Sequence, residues 1–132
     1  MKIKISSDST CDLSKELIEK YDIGIIPLSV ILGDKVYSDG IDITPQQIFD
    51  YVAATKNLPK TAACTEELYA ERFAAYLEDY DAVIHLNISS KASVTNRNAT
   101  EAAKRFGGKV KIIDSLALST GQGLLVLKAC DF

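Results

Sequence analysis

The stretch Ala82-Val-Ile-His-Leu-Asn-Ile88, followed by Ser89-Ser-Lys-Ala-Ser-Val-Thr95 and then Asn96-Arg-Asn-Ala-Thr-Glu-Ala-Ala-Lys-Arg-Phe106 before Gly107-Gly108, decides the fold. Ala82 to Ile88 is a short apolar run of strand length. An alanine-rich helical pattern then spans Ala92 to Phe106, and the glycine pair stops it. Between the two, Ser89, Ser90, Ser93 and Thr95 crowd the junction. The first amides of a helix lack intrahelical partners, so hydroxyls beside them can hold a carboxylate or phosphate without lysine or arginine. Serine and threonine are also favoured N-caps, so one or two would be expected from capping alone. Four within seven residues exceeds that need.

Working outward, strands alternate with helices. Lys2 to Ser7 alternates Ile3 and Ile5 with polar residues, as a strand does. Asp12 is placed to cap a helix with Leu13, Leu17, Ile18 and Tyr21 on one face. Ile23 to Ile26 is a second strand, ended by Pro27. Residues 28–38 predict a small β-hairpin turning at Gly33-Asp34. Thr44-Pro45-Gln46-Gln47 opens a helix running to about Ala54, with a capping threonine and proline at the first helical position. Lys56 to Thr65 reads as a loop and Glu66 to Leu77 as a helix with two acids at its positive end. Val110 to Ile113 is a further strand. Ser119 onward is a helix whose Gly121 and Gly123 each cost ~1 kcal/mol unless close packing or a loose first turn requires them. The pattern predicts an α/β fold: a mainly parallel sheet with helices on both faces, plus the hairpin.

Length bounds the rest. The 132 residues suffice for one domain with a core, so residues 1–132 form a single lobe. The last helix meets no stop signal, which suggests one half of a two-lobe protein whose second lobe is absent. A missing lobe would leave an apolar face open to self-association. No run approaches the ~20 apolar residues of a membrane span, and Met1-Lys-Ile-Lys-Ile5 reads as a strand rather than a leader, so a cytoplasmic location is expected. The net charge is −3 with both signs interspersed, and no basic stripe accompanies the few aromatics. Nucleic-acid binding is disfavoured. Cys11, Cys64 and Cys130 are widely spread and form no zinc set with the single histidine, so reduced thiols and no metal are expected.

Ligands of open α/β sheets sit at the carboxyl ends of strands. Ser7-Asp-Ser-Thr10, Ser89 to Thr95 and Asp114-Ser115 meet that condition, and Thr61-Ala-Ala-Cys-Thr65 stands before a helix. All are rich in hydroxyls and poor in fixed charge. A serine hydrolase is unsupported: there is no G-x-S-x-G, and His85 lies early in its strand, packed or at an edge. Cys64 as a nucleophile lacks a supporting loop, and an inert core thiol fits better. There is no phosphate-binding G-x-x-x-x-G-K-[ST], and Gly121-x-Gly123 alone is weak evidence. Asp8, Asp12, Asp39 and Asp42 are isolated acids of the kind that form turns and caps.

Taken together, the segments resemble the DegV family of fatty-acid-binding proteins, which includes the FakB-like binding subunits of bacterial fatty acid kinase. The blocks are Asp8-Ser-Thr-x-Asp12-Leu13, Ile26-Pro-Leu-x-Val30, Tyr37-x-Asp-Gly-x-Asp42-Ile43, Pro59-Lys-Thr61, Ser89-Ser-Lys-x-Ser93-x-Thr95, and Ile113-Asp-Ser115 with Ser119-x-Gly121-x-Gly123. Each is weak alone; six in order are specific. The resemblance implies an amino-terminal lobe that, with a second lobe, encloses a long-chain fatty acid. It aligns Thr61 and Ser93 with the hydroxyls that hold the carboxylate, and places Ser9, Ser89, Ser90, Val94 and Thr95 in the second line. It implies a carrier without a cofactor that presents its acid to a separate fatty acid kinase, not an enzyme.

Two departures stand out. The family's Ser-Gln-Pro after the threonine is Ala62-Ala63-Cys64, and its Leu-Ser-Gly is Ala92-Ser93-Val94. Glycine at 94 would admit positive φ, and valine does not. Two other readings use the same strand ends: a flavodoxin-like small-molecule or phosphate enzyme, and a degenerate lobe with no ligand.

Overall fold

The computed structural model describes all residues, 1–132. Its central sheet contains β1 (Ile3–Asp8), β2 (Gly24–Ile26), β6 (Ala82–Asn87) and β7 (Val110–Asp114), all parallel, in the order β2-β1-β6-β7. A second, antiparallel sheet is built from β3 (Ser29–Leu32), β4 (Lys35–Ser38) and β5 (Lys60–Ala62), with β3 in the middle. The helices are α1 (Lys15–Lys20), α2 (Pro45–Thr55), α3 (Glu66–Asp79), α4 (Thr95–Ala103) and α5 (Ser119–Cys130).

Both faces of the parallel sheet are covered, so its strands are buried on both sides. On one face Val83 packs with Tyr69 and Phe73 of α3, Ala99 and Ala102 of α4, and Val110. On the other, Leu86 packs with Cys11, Ile23 and Val126 of α5, flanked by Ile5, Leu13, Ile18 and Ile84. Alternation along β6 thus sends Val83 to one face and Ile84 and Leu86 to the other. Val30, Leu32 and Ile43 make a small core under the antiparallel sheet. The hairpin turns at Gly33-Asp34 as expected, with Leu32 opposite Lys35 and Gly33 at φ 65°.

Three expectations are corrected. Asp12 does not cap α1; it sits in the left-handed region at φ 51°, and Ser14 accepts the Leu17 amide instead. Lys56 to Thr65 is not all loop, because Lys60–Ala62 adds to β3 as an exposed edge strand, with Thr61 opposite Val30. The fourth helix begins at Thr95 rather than Ala92 and passes into a 3-10 turn at Lys104–Phe106; residues 89–94 are a turn that brings Ser93 ahead of the helix. Thr44 caps α2 through the reciprocal bond with Gln47, as the sequence predicts. Gly123 is explained by close packing: a Cβ there would lie 2.7 Å from the Cys11 carbonyl oxygen.

Candidate functional site

The carboxyl ends of β1, β6 and β7 lie side by side, so the segments that follow them share one edge of the sheet. The turn after β6 is held locally. Its Ser89 amide donates to the Ala117 carbonyl at 2.8 Å, and its Ser90 amide to Asp114 Oδ1 at 3.1 Å. Burial pushes the Asp114 carboxyl up, but the bonds from Ser90 and from the Leu116 amide outweigh this and hold it below the usual carboxylate range. Ser89 Oγ accepts from the Lys91 amide, and Leu28 donates its amide to Ser9 Oγ at 3.1 Å. Ser89 therefore stabilises its own turn, and Ser9 ties the end of β1 to the connection between β2 and β3.

Ser93 is half-buried. Its Oγ accepts the Thr95 amide at 3.2 Å and lies 2.7 Å from Thr95 Oγ1, and Thr95 is fully buried. Val94 has φ −76° in the right-handed region, so the position needs no glycine, and its side chain is 59% exposed. Thr61 is exposed on the edge strand, and its hydroxyl takes no part in the protein's own hydrogen bonding. One direct link joins the two segments: Asn98 Nδ2 of α4 donates to the Cys64 carbonyl at 2.8 Å.

Sequence reading missed the buried polar layer beneath this edge. Lys4, Ser6 and Asp8 alternate with Ile3 and Ile5, which ordinarily marks a solvent face, yet Ser6 and Asp8 are fully buried against α3. The Asp8 carboxylate accepts from Tyr69 Oη at 2.5 Å, His85 Nε2 at 3.1 Å, Asn87 Nδ2 at 3.1 Å to each oxygen, and the Ile88 amide at 2.9 Å. Burial alone would raise its pKa. The His85 contact and the bonds from Tyr69 and Ile88 prevail and hold it below the ordinary range. Burial beside that carboxylate raises the Tyr69 hydroxyl in turn.

His85 is packed, not at an edge: it is fully buried, its ring edge-on to Tyr69 and Phe73. Its Nε2 faces Asp8 and its Nδ1 lies 2.8 Å from Ser6 Oγ, so both ring nitrogens have a hydrogen-bond partner. On the opposite face Gln122 Nε2 donates to Ser7 Oγ at 2.9 Å and Gln122 Oε1 accepts from Thr10. The signal for this layer was present in the alternation of β1, but period alone cannot tell a solvated face from a hydrogen-bonded interior.

The acids do not converge on an ion: no three of the chain's histidine, cysteine, aspartate and glutamate side chains form a metal-holding group. Cys64 is buried, its thiol donates to the Pro27 carbonyl at 2.9 Å, and burial with nearby Asp8 pushes it up to about 12. That is an inert thiol, not a nucleophile. An open groove of about 530 Å³ lies elsewhere, among Ser9, Leu13, Ile18, Ile25, Ile41 and Ile43; neither Thr61 nor Ser93 lines it. No helix is long and apolar enough to cross a membrane.

The DegV family model matches residues 2–132. The chain belongs to the DegV family. A DegV domain-containing protein of Clostridium perfringens is 40% identical over 97% of this chain and 46% of its own length. A fatty-acid-binding DegV family protein from Thermus thermophilus superposes with a TM-score of 0.92 at 37% identity, covering 99% of this chain and 47% of the other. A stearic acid-binding protein from Eubacterium ventriosum gives 0.89 at 34% identity, covering 98% and 46%. The chain thus spans about half the length of the relatives it matches. These DegV structures share the parallel sheet with flanking helices, so the fold class read from the sequence is confirmed.

Proposed function

We propose that this DegV chain forms one wall of a long-chain fatty-acid site, with Thr61 and Ser93 hydrogen-bonding the carboxylate at the strand ends and a second lobe supplying the opposite wall. The single observation that carries the reading is a hydroxyl-rich edge at the carboxyl ends of the parallel strands, together with the exposed Thr61 hydroxyl on β5 of the antiparallel sheet, which the protein leaves unengaged. The apolar rim beside it supports the same reading: Val94, Leu116 and Leu118 are 59%, 65% and 59% exposed, and Leu116 is held at φ 50°. Two relatives that superpose on the whole chain are themselves fatty-acid binders. By family resemblance the acid is presented to a separate kinase, and this protein makes and breaks no bonds.

Two neutral hydrogen bonds contribute only ~1–3 kcal/mol net, which orients a head group but does not set affinity. A C16 chain offers about 11 kcal/mol if every methylene is buried, at ~0.8 kcal/mol each. That burial needs an enclosed tunnel, and one lobe lines only a wall. The 132-residue chain is therefore expected to bind palmitate weakly. Fused to the carboxyl-terminal half of a relative, it is expected to retain an acyl chain, identified by mass spectrometry after denaturation. A tight stoichiometric palmitate complex of the 132 residues alone in calorimetry, or a nucleotide or metal in place of the acid in the fusion, contradicts the proposal.

A further inference from the structure

We infer that Asp8 and Asn98 are positioning residues for this site, locking the strand that bears Thr61 to the turn that bears Ser93; the inference rests on the head-group reading above. Thr61 lies on β5 of the antiparallel sheet and Ser93 in the turn that follows β6 of the parallel one, and the two have no hydrogen bond to each other. Their spacing must be fixed by whatever joins the two segments. Two links do so, one deep and one near the surface.

The deep link is the Asp8 carboxylate. On one side it holds Tyr69, in the first turns of the helix that follows the Thr61 strand. On the other it holds Asn87 and the Ile88 amide, the last residues before the Ser89 turn. Asn87 Nδ2 also donates to Tyr69 Oη at 3.1 Å, and Asn87 Oδ1 accepts from Asn96 Nδ2 at 3.4 Å, one residue past Thr95. A carboxylate is suited to this place because it is acceptor-only, and every group aimed at it can donate. The shallow link is Asn98 Nδ2 to the Cys64 carbonyl, three residues beyond Thr61. Cys64 is fixed from its other end by its thiol bond to the Pro27 carbonyl. Asn98 ties the start of α4 to that anchored point.

Asn98 is half-buried, so its removal spares the core. In Asn98→Ala, octanoate affinity measured by amide shifts is expected to fall roughly three- to ten-fold, the loss of one well-placed hydrogen bond. Asn98→Asp, which turns an acceptor toward the carbonyl, should do the same, and Asn98→Gln, which keeps a donor, should recover part of it. Tyr69→Phe tests the deep link with the ring retained, and should also weaken octanoate. In ligand-free Asn98→Ala, hydrogen exchange at the Leu68 and Tyr69 amides, which bond Thr65 next to the anchored carbonyl, should accelerate about ten-fold or more while β6 is unchanged, since only local opening is eased. Unaltered octanoate affinity in both Asn98→Ala and Tyr69→Phe, or equal loss in the Gln variant, overturns the inference. If wild-type protein shows no octanoate response, the head-group reading fails instead, and the exchange rates decide the positioning role alone: unchanged rates at Leu68 and Tyr69 overturn it.

Discussion

Asp8 is the residue on which most of the site's geometry depends. Its folded-state pKa lies below the ordinary aspartate value, so its stabilising contribution is complete above that value and is lost as the pH falls through the lowered one. Asp8→Asn keeps the shape but turns an amide group toward the Ile88 amide or the Asn87 amide group. It is expected to lose about 3 kcal/mol or more of stability at neutral pH, with a flatter acid limb below about pH 4, in urea melts at several pH values. Equal acid limbs for wild type and variant would show that Asp8 is not charged in the fold. The thiols give a second test. Cys64 and Cys11 are buried and raised, and Cys130 is only partly buried. Ellman's reagent on native protein at pH 8 should modify Cys130 first, and fast labelling of Cys64 would contradict the packing described.

At the scale of elements, the two glycines of α5 predict opposite outcomes. A Cβ at Gly123 meets the Cys11 carbonyl oxygen at 2.7 Å and Leu13 Cδ2 at 3.0 Å, and the backbone oxygen cannot easily yield. Gly123→Ala should destabilise by ~1–3 kcal/mol despite better helix propensity. At Gly121 the nearest atom is Ala117 Cβ at 3.4 Å, so Gly121→Ala should be neutral or stabilising by up to ~1 kcal/mol. Thermal melts of the pair check the sign of each. The same scale shows what the sequence could say. Apolar period, the Thr44 capping box and the Gly33 turn located most elements, because those signals are local. Strand β5 was invisible: Lys60, Thr61 and Ala62 are all exposed, and their pairing with β3 is a long-range fact with no periodic trace. Asp12 and Ser14 are both good cap residues, and only the backbone decides between them.

For the whole molecule, the alternation of strands and helices with six ordered motifs made the α/β fold legible. The site was legible only as a collection of hydroxyls at strand ends. Which hydroxyls are engaged by the protein's own amides (Ser89 by Lys91, Ser9 by Leu28) and which is left free (Thr61) required the folded chain. The buried Asp8 layer was hidden for the same reason: hydrogen bonding between Ser6, Asp8, Tyr69, His85 and Asn87 joins residues far apart in sequence. Titrating the 15N-labelled chain with octanoate locates the carboxylate site. Saturable amide shifts are expected at Thr61 and across Ser90 to Thr95, weak in affinity and abolished by Thr61→Val combined with Ser93→Ala. Shifts centred instead on Ser9, Leu13 and Ile41 of the open groove, or a response indifferent to that double substitution, would contradict that placement.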